Sequence, residues 1–154
     1  MVDVVHDPTP QKIEHPGLRA LYEYWERCRP VDGLPGRQHL DPLDIPGLLP
    51  NLLLIDVLSS DNFRYRLVGT ALSRRVGRDT TGLSIVEAYP DDDWEEIHPD
   101  YLYVLDKQKP CLRWTAVTDS RGKSQAYQRL LLPLAGDGRN VDMILAAAYW
   151  LEDA

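Results

Sequence analysis

Three extended segments near the carboxyl end are joined by connections too short for a crossover. Residues 112–118 alternate between apolar and polar side chains, residues 124–134 favour a long strand, and residues 141–151 are largely apolar. Turns at residues 119–122 and 136–138 separate them. A parallel neighbour needs a crossover of roughly a dozen residues or more, whereas a short turn returns the chain antiparallel. The sequence therefore predicts three consecutive antiparallel strands.

A second pair of strands is predicted earlier in the chain. Residues 52–58 form a short, mostly apolar run, as expected of a buried strand, and the turn-forming pair Asp61-Asn62 follows. Residues 63–68 then alternate, with Arg64 and Arg66 on the same face. Two strands joined by so tight a turn form a hairpin.

Short helices are predicted between the hairpin and the last three strands. Thr70 is placed to cap a helix over residues 71–76, and another helical turn covers residues 84–89. Proline is tolerated best at a first helical position. We therefore expect one helix to end at His98 and the next to run from Pro99 to about residue 108.

The amino-terminal part divides into three stretches of different character. Residues 1–16 are polar and contain prolines, which favours a mobile arm. Residues 17–29 place apolar side chains at helical spacing, which predicts a surface helix with one apolar side. That apolar stripe consists of Leu18, Leu21, Tyr22, Trp25 and Cys28. Residues 30–50 contain too many prolines for more than one short helical turn, so we expect a linker that packs along the core.

The element order and four local strings resemble a known fold. A hairpin, a helical crossover and a three-strand meander follow one another as in PAS domains. The strings are Leu21-Tyr-Glu-Tyr-Trp25, Leu48-Leu-Pro-Asn51, Phe63-Arg-Tyr-Arg-Leu-Val-Gly-Thr70 and Gly77-Arg-Asp-Thr-Thr-Gly82. In this order and spacing, residues 17–151 resemble the stand-alone PAS-like proteins common in alphaproteobacteria.

The resemblance implies one α+β domain over residues 17–151, preceded by the arm at residues 1–16. The expected core is a five-stranded antiparallel sheet with the strand order 2-1-5-4-3, numbered along the chain. The crossover at residues 71–108 covers one face of this sheet, and the amphipathic helix precedes it. PAS domains share a shape but serve in small-molecule sensing, cofactor binding and dimerisation, so the fold alone gives no function.

The charge balance argues against nucleic acid as a partner. The chain has 17 basic and 24 acidic residues, a net charge of −7, whereas nucleic-acid binders neutralise phosphates with a basic surface. The longest apolar run, residues 143–151, is far shorter than the ~20 residues of a membrane span. Residues 1–7 are acidic, unlike a signal peptide, and two cysteines make no disulfide framework. We therefore expect a cytoplasmic protein without a membrane or nucleic-acid partner.

The sequence contains no recognisable catalytic or metal motif. The four histidines are scattered, and neither a phosphate-binding glycine loop nor a nucleophile elbow is present. We therefore predict a binding protein that is not an enzyme and has no metal site. His98 lies where haem-binding PAS domains carry an axial histidine, but its place before Pro99 favours a helix cap. Flavin photosensors of this class carry an Asn-Cys-Arg string that neither Cys28 nor Cys111 matches, so the cofactor is unknown.

Aromatic and arginine side chains on the strands are the candidates for a ligand site. In a PAS-like fold one sheet face and the crossover enclose the ligand space, and Tyr127 and Arg129, two residues apart, share a face. Aromatic rings offer flat apolar contact, and a partly buried arginine needs an anion. These features suit a small molecule with a ring or chain and a carboxylate. The predicted ligand-binding residues are Tyr65, Thr70, His98, Trp114, Tyr127 and Arg129.

The sequence leaves two functions open. The first is a sensory module that binds a small molecule between the sheet and the crossover. The second is a structural or protein-interaction module with a filled core and no ligand. We also expect a homodimer through the helix at residues 17–29, because its apolar stripe needs cover. Cover by the chain's own sheet is the competing explanation.

Overall fold

One antiparallel sheet organises the residues that the computed structural model describes, which are 2–88, 94–118, 122 and 124–151. Within them the strands are Val2–His6 (β1), Leu52–Ser59 (β2), Asn62–Val68 (β3), Cys111–Thr118 (β4), Ser124–Leu134 (β5) and Met143–Trp150 (β6). The α-helices are Pro16–Arg27 (α1), Thr70–Val76 (α2), Ile85–Ala88 (α3) and Trp94–Lys107 (α4). None of these helices is both long and apolar enough to cross a membrane.

The strand order across the sheet is β1-β4-β5-β6-β2-β3, and each neighbouring pair is antiparallel. The five predicted strands are β2 to β6, and their order and the α+β class are confirmed. β6 lies beside β2, which joins the hairpin and the meander into one sheet. The predicted turn at residues 119–122 falls mostly outside the described residues.

A sixth strand, β1, corrects the prediction of a mobile arm at residues 1–16. It pairs with β4 in continuous register, from Val2 opposite Thr115 to His6 opposite Cys111. A 3₁₀ turn follows at Pro10–Lys12. The partner of β1 comes from the far end of the chain, and strand formation depends strongly on such cross-strand context. Val2, Val4 and Val5 suit a strand, but a local pattern does not identify the partner that holds it.

Helix α1 covers the face of the sheet that points away from the other helices. Leu18, Leu21 and Trp25 are fully buried, and the Trp25 indole Nε1–H donates to the Pro133 carbonyl at 2.9 Å. The apolar stripe therefore has cover within its own chain. Cover by the chain's own sheet thus accounts for this stripe, and the homodimer through the helix stays a prediction.

The proline-rich linker packs along the core as expected, but it contains more local structure than one helical turn. Short 3₁₀ helices occur at Arg37–His39, Pro42–Asp44 and Pro46–Asn51. Proline fits the start of such a turn because its φ is already fixed there and its missing N–H is not needed. The linker ends against the hairpin, where a Cβ on Gly69 would lie 2.3 Å from the Pro50 carbonyl oxygen.

Helix α4 continues through Pro99, so the predicted division at His98 is wrong. Proline removes one intrahelical hydrogen bond, which local reasoning takes as a helix boundary. Packing against the sheet outweighs that loss, because Tyr101 and Val104 are buried on the same helix and Asp100 is ion-paired with β4. Tertiary contacts thus set the length of this helix.

Candidate functional site

A cavity of about 370 Å³ lies between the sheet and the helical crossover formed by α2, α3 and α4. Pockets for small organic molecules occupy roughly 300–1,000 Å³, so this volume is sufficient for one. Much of the wall is apolar. It includes Leu53, Leu72, Val76, Ile85, Ile97 and Ala148.

Strand alternation places polar side chains side by side on one wall of the cavity. Arg113 of β4 stands opposite Arg129 of β5, and Thr115 stands opposite Tyr127. Side chains two residues apart share a face of a strand. All four therefore face the crossover and line the cavity, while Trp114 between them faces the other way.

The buried carboxylate of Asp100 joins both arginines to helix α4. It accepts hydrogen bonds from Arg113 Nε at 2.6 Å and Arg113 Nη2 at 3.2 Å, and a further one from Arg129 Nη2. All three residues are buried, with at most 6% of their surface exposed. Charged groups so far from water interact strongly, and losing one partner leaves the others uncompensated. This cluster therefore fixes α4 over β4 and β5.

The buried part of the cluster carries an excess of positive charge. It contains two guanidiniums and the carboxylate of Asp100, and the hydrogen bonds to Asp100 raise the pKa of Arg113. A second carboxylate, Glu96, is 48% exposed and lies with Oε1 3.6 Å from Arg113 Nη1. A contact of this length in water-accessible surroundings compensates the excess weakly. This wall of the cavity therefore favours an anion.

Two buried polar atoms on the same wall lack a hydrogen-bond partner among the residues that the structure describes. They are Arg129 Nε and Thr115 Oγ1. More than about nine in ten buried polar groups in proteins are paired, and an exception needs an explanation such as a water, an ion or a ligand. Both side chains line the cavity, so an anion bound here has donors available close by.

Tyr127 and Trp150 form an aromatic wall of the cavity. Their ring centroids are 4.9 Å apart and their planes are inclined by 53°. The guanidinium of Arg75 on α2 lies 3.9 Å from the centroid of Trp150, a cation–π contact that holds the ring. Such a surface offers flat apolar contact to a ring or a chain.

Three of the predicted ligand-binding residues meet in the cavity. Tyr65, Tyr127 and Arg129 all line it. Arg129 faces the crossover and not bulk solvent, which the carboxylate hypothesis requires. The sequence did not reveal that Asp100 already occupies part of this guanidinium.

The other predicted residues lie elsewhere. Thr70 is the exposed first residue of α2, and the cap position falls one residue earlier without any side-chain cap bond. His98 lies inside α4, where its Nε2 bonds the Ser60 carbonyl at 2.7 Å and its ring stacks on Trp94 with centroids 4.6 Å apart. It therefore ties α4 to the turn of the hairpin and is neither a helix cap nor a lining residue.

Trp114 was expected on the cavity face from its position and strand parity, but it lies between Arg113 and Thr115, which line the cavity, and so it faces the other way. The acidic partners Glu96 and Asp100 were missed as site residues. Their spacing of four places them on one face of a helix. Two acids at this spacing, facing strands that each carry an arginine, were the signal that could have found them.

The side chains of the site are suited to binding. Cys111 lies on β4, and burial raises the pKa of its thiol to about 12, which keeps it protonated and unreactive. The described residues contain no group of three or more histidine, cysteine or acidic side chains that could hold a metal ion. Arginine, threonine and tyrosine at the cavity wall can hold and orient a small molecule.

Comparison with known proteins identifies the family and the structures that this chain resembles. A family profile described as PAS domain matches residues 13–148, and no curated protein matches the chain. The LOV protein of Rhodobacter sphaeroides is 15% identical with a TM-score of 0.53, over 73% of this chain and 67% of that one. The PAS domain of Bordetella pertussis BvgS is 19% identical with a TM-score of 0.54, over 69% of this chain and 79% of that one.

An RNA-binding light-oxygen-voltage receptor is 18% identical with a TM-score of 0.50 over 79% of this chain, which spans 37% of the receptor. At these identities the structural likeness concerns the fold alone. The profile match extends from before α1 to the last strand and covers most of the sequence. The chain therefore belongs to the PAS domain family.

Proposed function

We propose that this chain is a sensory PAS module that binds a small organic anion with an apolar body. PAS domains are typically sensory modules, and the cavity between sheet and crossover is the site of the proposed binding. One observation carries the proposal: Arg113 and Arg129 share a single buried carboxylate at the wall of a largely apolar cavity.

The apolar wall and the arginine wall of the cavity would contact different parts of the ligand. Transfer of apolar groups out of water contributes about 0.8 kcal/mol for each buried CH₂, which the aliphatic wall can supply. An anionic head compensates the excess of positive charge on the opposite wall and gives Arg129 Nε a partner. The alternative of an interaction module with a filled core is supported less well, because such a core would leave no space of 370 Å³.

The proposal involves no catalysis. The arginines are engaged with Asp100, and the cavity wall described above shows no nucleophile paired with a base. A ligand bound there would be held and oriented, and the response would come from the changed fit of the crossover on the sheet.

Native mass spectrometry of the full chain as purified tests for a retained ligand. Isothermal titration with octanoate and phenylacetate then measures the affinity for carboxylates directly. In Arg129→Met, the apolar volume is retained but the charge is lost. We expect about 10- to 100-fold weaker binding, corresponding to one lost charge-assisted hydrogen bond.

Arg66→Met is the matched control, since Arg66 lies on the exposed part of β3 and its side chain is 57% exposed. It removes the same charge and should bind both probes as the wild type does. Asp100 retains Arg113 as a partner in Arg129→Met, so this variant should fold, which its melting curve checks. Unchanged affinity in a folded Arg129→Met protein, or failure of the wild type to bind either probe, would refute the proposed function.

A further inference from the structure

Two acidic side chains of α4, Glu96 and Asp100, hold Arg113 with very different strength. Asp100 is buried and makes two hydrogen bonds to it, at 2.6 and 3.2 Å. Glu96 lies one helical turn earlier at the rim of the cavity, half exposed, with its carboxylate 3.6 Å from Arg113 Nη1. The first contact is part of the fold, whereas the second can be exchanged at little loss.

We propose that the cavity takes a monoanion whose carboxylate displaces the side chain of Glu96 from Arg113. This inference rests on the proposed function and specifies the ligand's charge and the group it replaces. Glu96 is then an internal competitor, which occupies the anion position until a ligand arrives and afterwards turns to solvent.

Arg113 does not need the Glu96 carboxylate to stay in place. Its Nη2 also donates to the backbone carbonyl of Glu96 at 3.2 Å, and Asp100 fixes the rest of the guanidinium. Moving the Glu96 side chain therefore leaves the anion position intact. The backbone contact keeps the guanidinium turned toward the rim, where an incoming carboxylate would meet it.

The surroundings allow one negative charge and not two. Asp100 cannot be displaced without leaving two buried guanidiniums unpaired. Two guanidiniums and the carboxylate of Asp100 leave one excess positive charge, which the first carboxylate of a ligand compensates. The apolar wall residues Leu53, Leu72 and Ile85 offer no charge to a second carboxylate. Burying an unpaired charge against such side chains is strongly unfavourable. A dicarboxylate of the same length should therefore bind worse than a monocarboxylate.

Three probes of equal chain length separate the contributions: octanoate, octanol and octanedioate. Each is titrated calorimetrically into the full-length wild type, Glu96→Gln and Glu95→Gln. Glu95 is the matched control, because it is an exposed neighbour on α4 and its substitution changes the net charge equally. Removing the competitor should tighten octanoate binding roughly two- to fivefold in Glu96→Gln alone.

Octanol should bind Glu96→Gln and the wild type equally, since it has no charge to compete. Octanedioate should bind the wild type roughly tenfold or more weakly than octanoate. A wild type that binds octanoate, with no gain in Glu96→Gln or an equal gain in Glu95→Gln, overturns the inference and leaves the proposed function standing. Octanedioate binding as tightly as octanoate overturns it too. If the wild type binds none of the three probes, the proposed function itself fails.

Discussion

Asp100→Asn is the substitution that most directly tests the buried cluster. The asparagine has almost the same shape and keeps one acceptor oxygen, but it removes the negative charge between two guanidiniums. Arg113 then retains Glu96 at 3.6 Å as its nearby carboxylate, while the carboxylate next to Arg129 is gone. Breaking a buried ion pair in this way lowers stability by about 3–5 kcal/mol.

The structure offers a matched control in Asp56 on β2. Asp56 also accepts from two arginines, Arg64 at 3.2 Å and Arg66 at 2.9 Å. Asp56 is itself only 7% exposed, but the side chains of its two arginines are 42% and 57% exposed, so removing the carboxylate leaves no buried guanidinium without a partner. Asp56→Asn should therefore lower the urea midpoint much less than Asp100→Asn does, although the chemistry of the substitution is identical.

Urea unfolding, followed by tryptophan fluorescence, gives both free energies, and calorimetry gives the melting temperatures. For a chain of this length, a loss of 3–5 kcal/mol lowers the melting temperature by roughly 6–20 °C. The triple variant Asp100→Leu, Arg113→Met, Arg129→Met should recover much of the loss, because an apolar replacement leaves no buried charge. Equal effects of the Asp100 and Asp56 substitutions, or a triple variant as unstable as Asp100→Asn, would refute the reasoning from burial.

Four further predictions concern the rest of the chain. Trp25→Ala should lower the free energy of unfolding by about 3–5 kcal/mol without changing the elution volume in gel filtration, whereas a shift to a smaller species would support the dimer hypothesis. Gly69→Ala should lower the free energy of unfolding by roughly 1–3 kcal/mol in urea, because its Cβ would lie 2.3 Å from the Pro50 carbonyl oxygen. A variant as stable as the wild type would show that the backbone at Pro50 can move to make room. Iodoacetamide at about pH 8 should label Cys28 and spare buried Cys111 in the native protein, as read by mass spectrometry. Burial raises the pKa of Cys111 to about 12, so between about pH 9 and 12 the folded chain keeps a thiol proton that the unfolded chain loses. The free energy of unfolding should therefore fall as the pH rises through this range, and it should fall less in Cys111→Ala.

The order of the sheet could be predicted because it depends on local features. Residues 124–134 form one uninterrupted extended stretch between two predicted turns, and the structure has the strand Ser124–Leu134 there. The stripe of α1 likewise follows from helical spacing, since Leu18, Leu21 and Trp25 must lie on one side. Short turns then leave few ways to join the strands.

The parts that were missed depend on partners distant in sequence. β1 is held by β4, and α4 passes Pro99 because the sheet holds the helix on either side of it. Trp114 was assigned to the wrong face because a buried arginine is improbable until its partner is known. Once Asp100 is placed opposite Arg113, the polar side of β4 can face inward. No pattern within β4 itself contains that information.

The pairing of β1 has a consequence for the behaviour of the chain in concentrated solution. Without Val2–His6, β4 would become the outermost strand, and its unpaired backbone N–H and C=O groups would form a template for another chain. β1 protects that border itself with a very short strand of five residues that includes Asp3, a charge unfavourable to further strand addition. Loss or displacement of the first few residues would therefore expose the edge of β4 to pairing with another chain, and promote strand exchange or aggregation between copies.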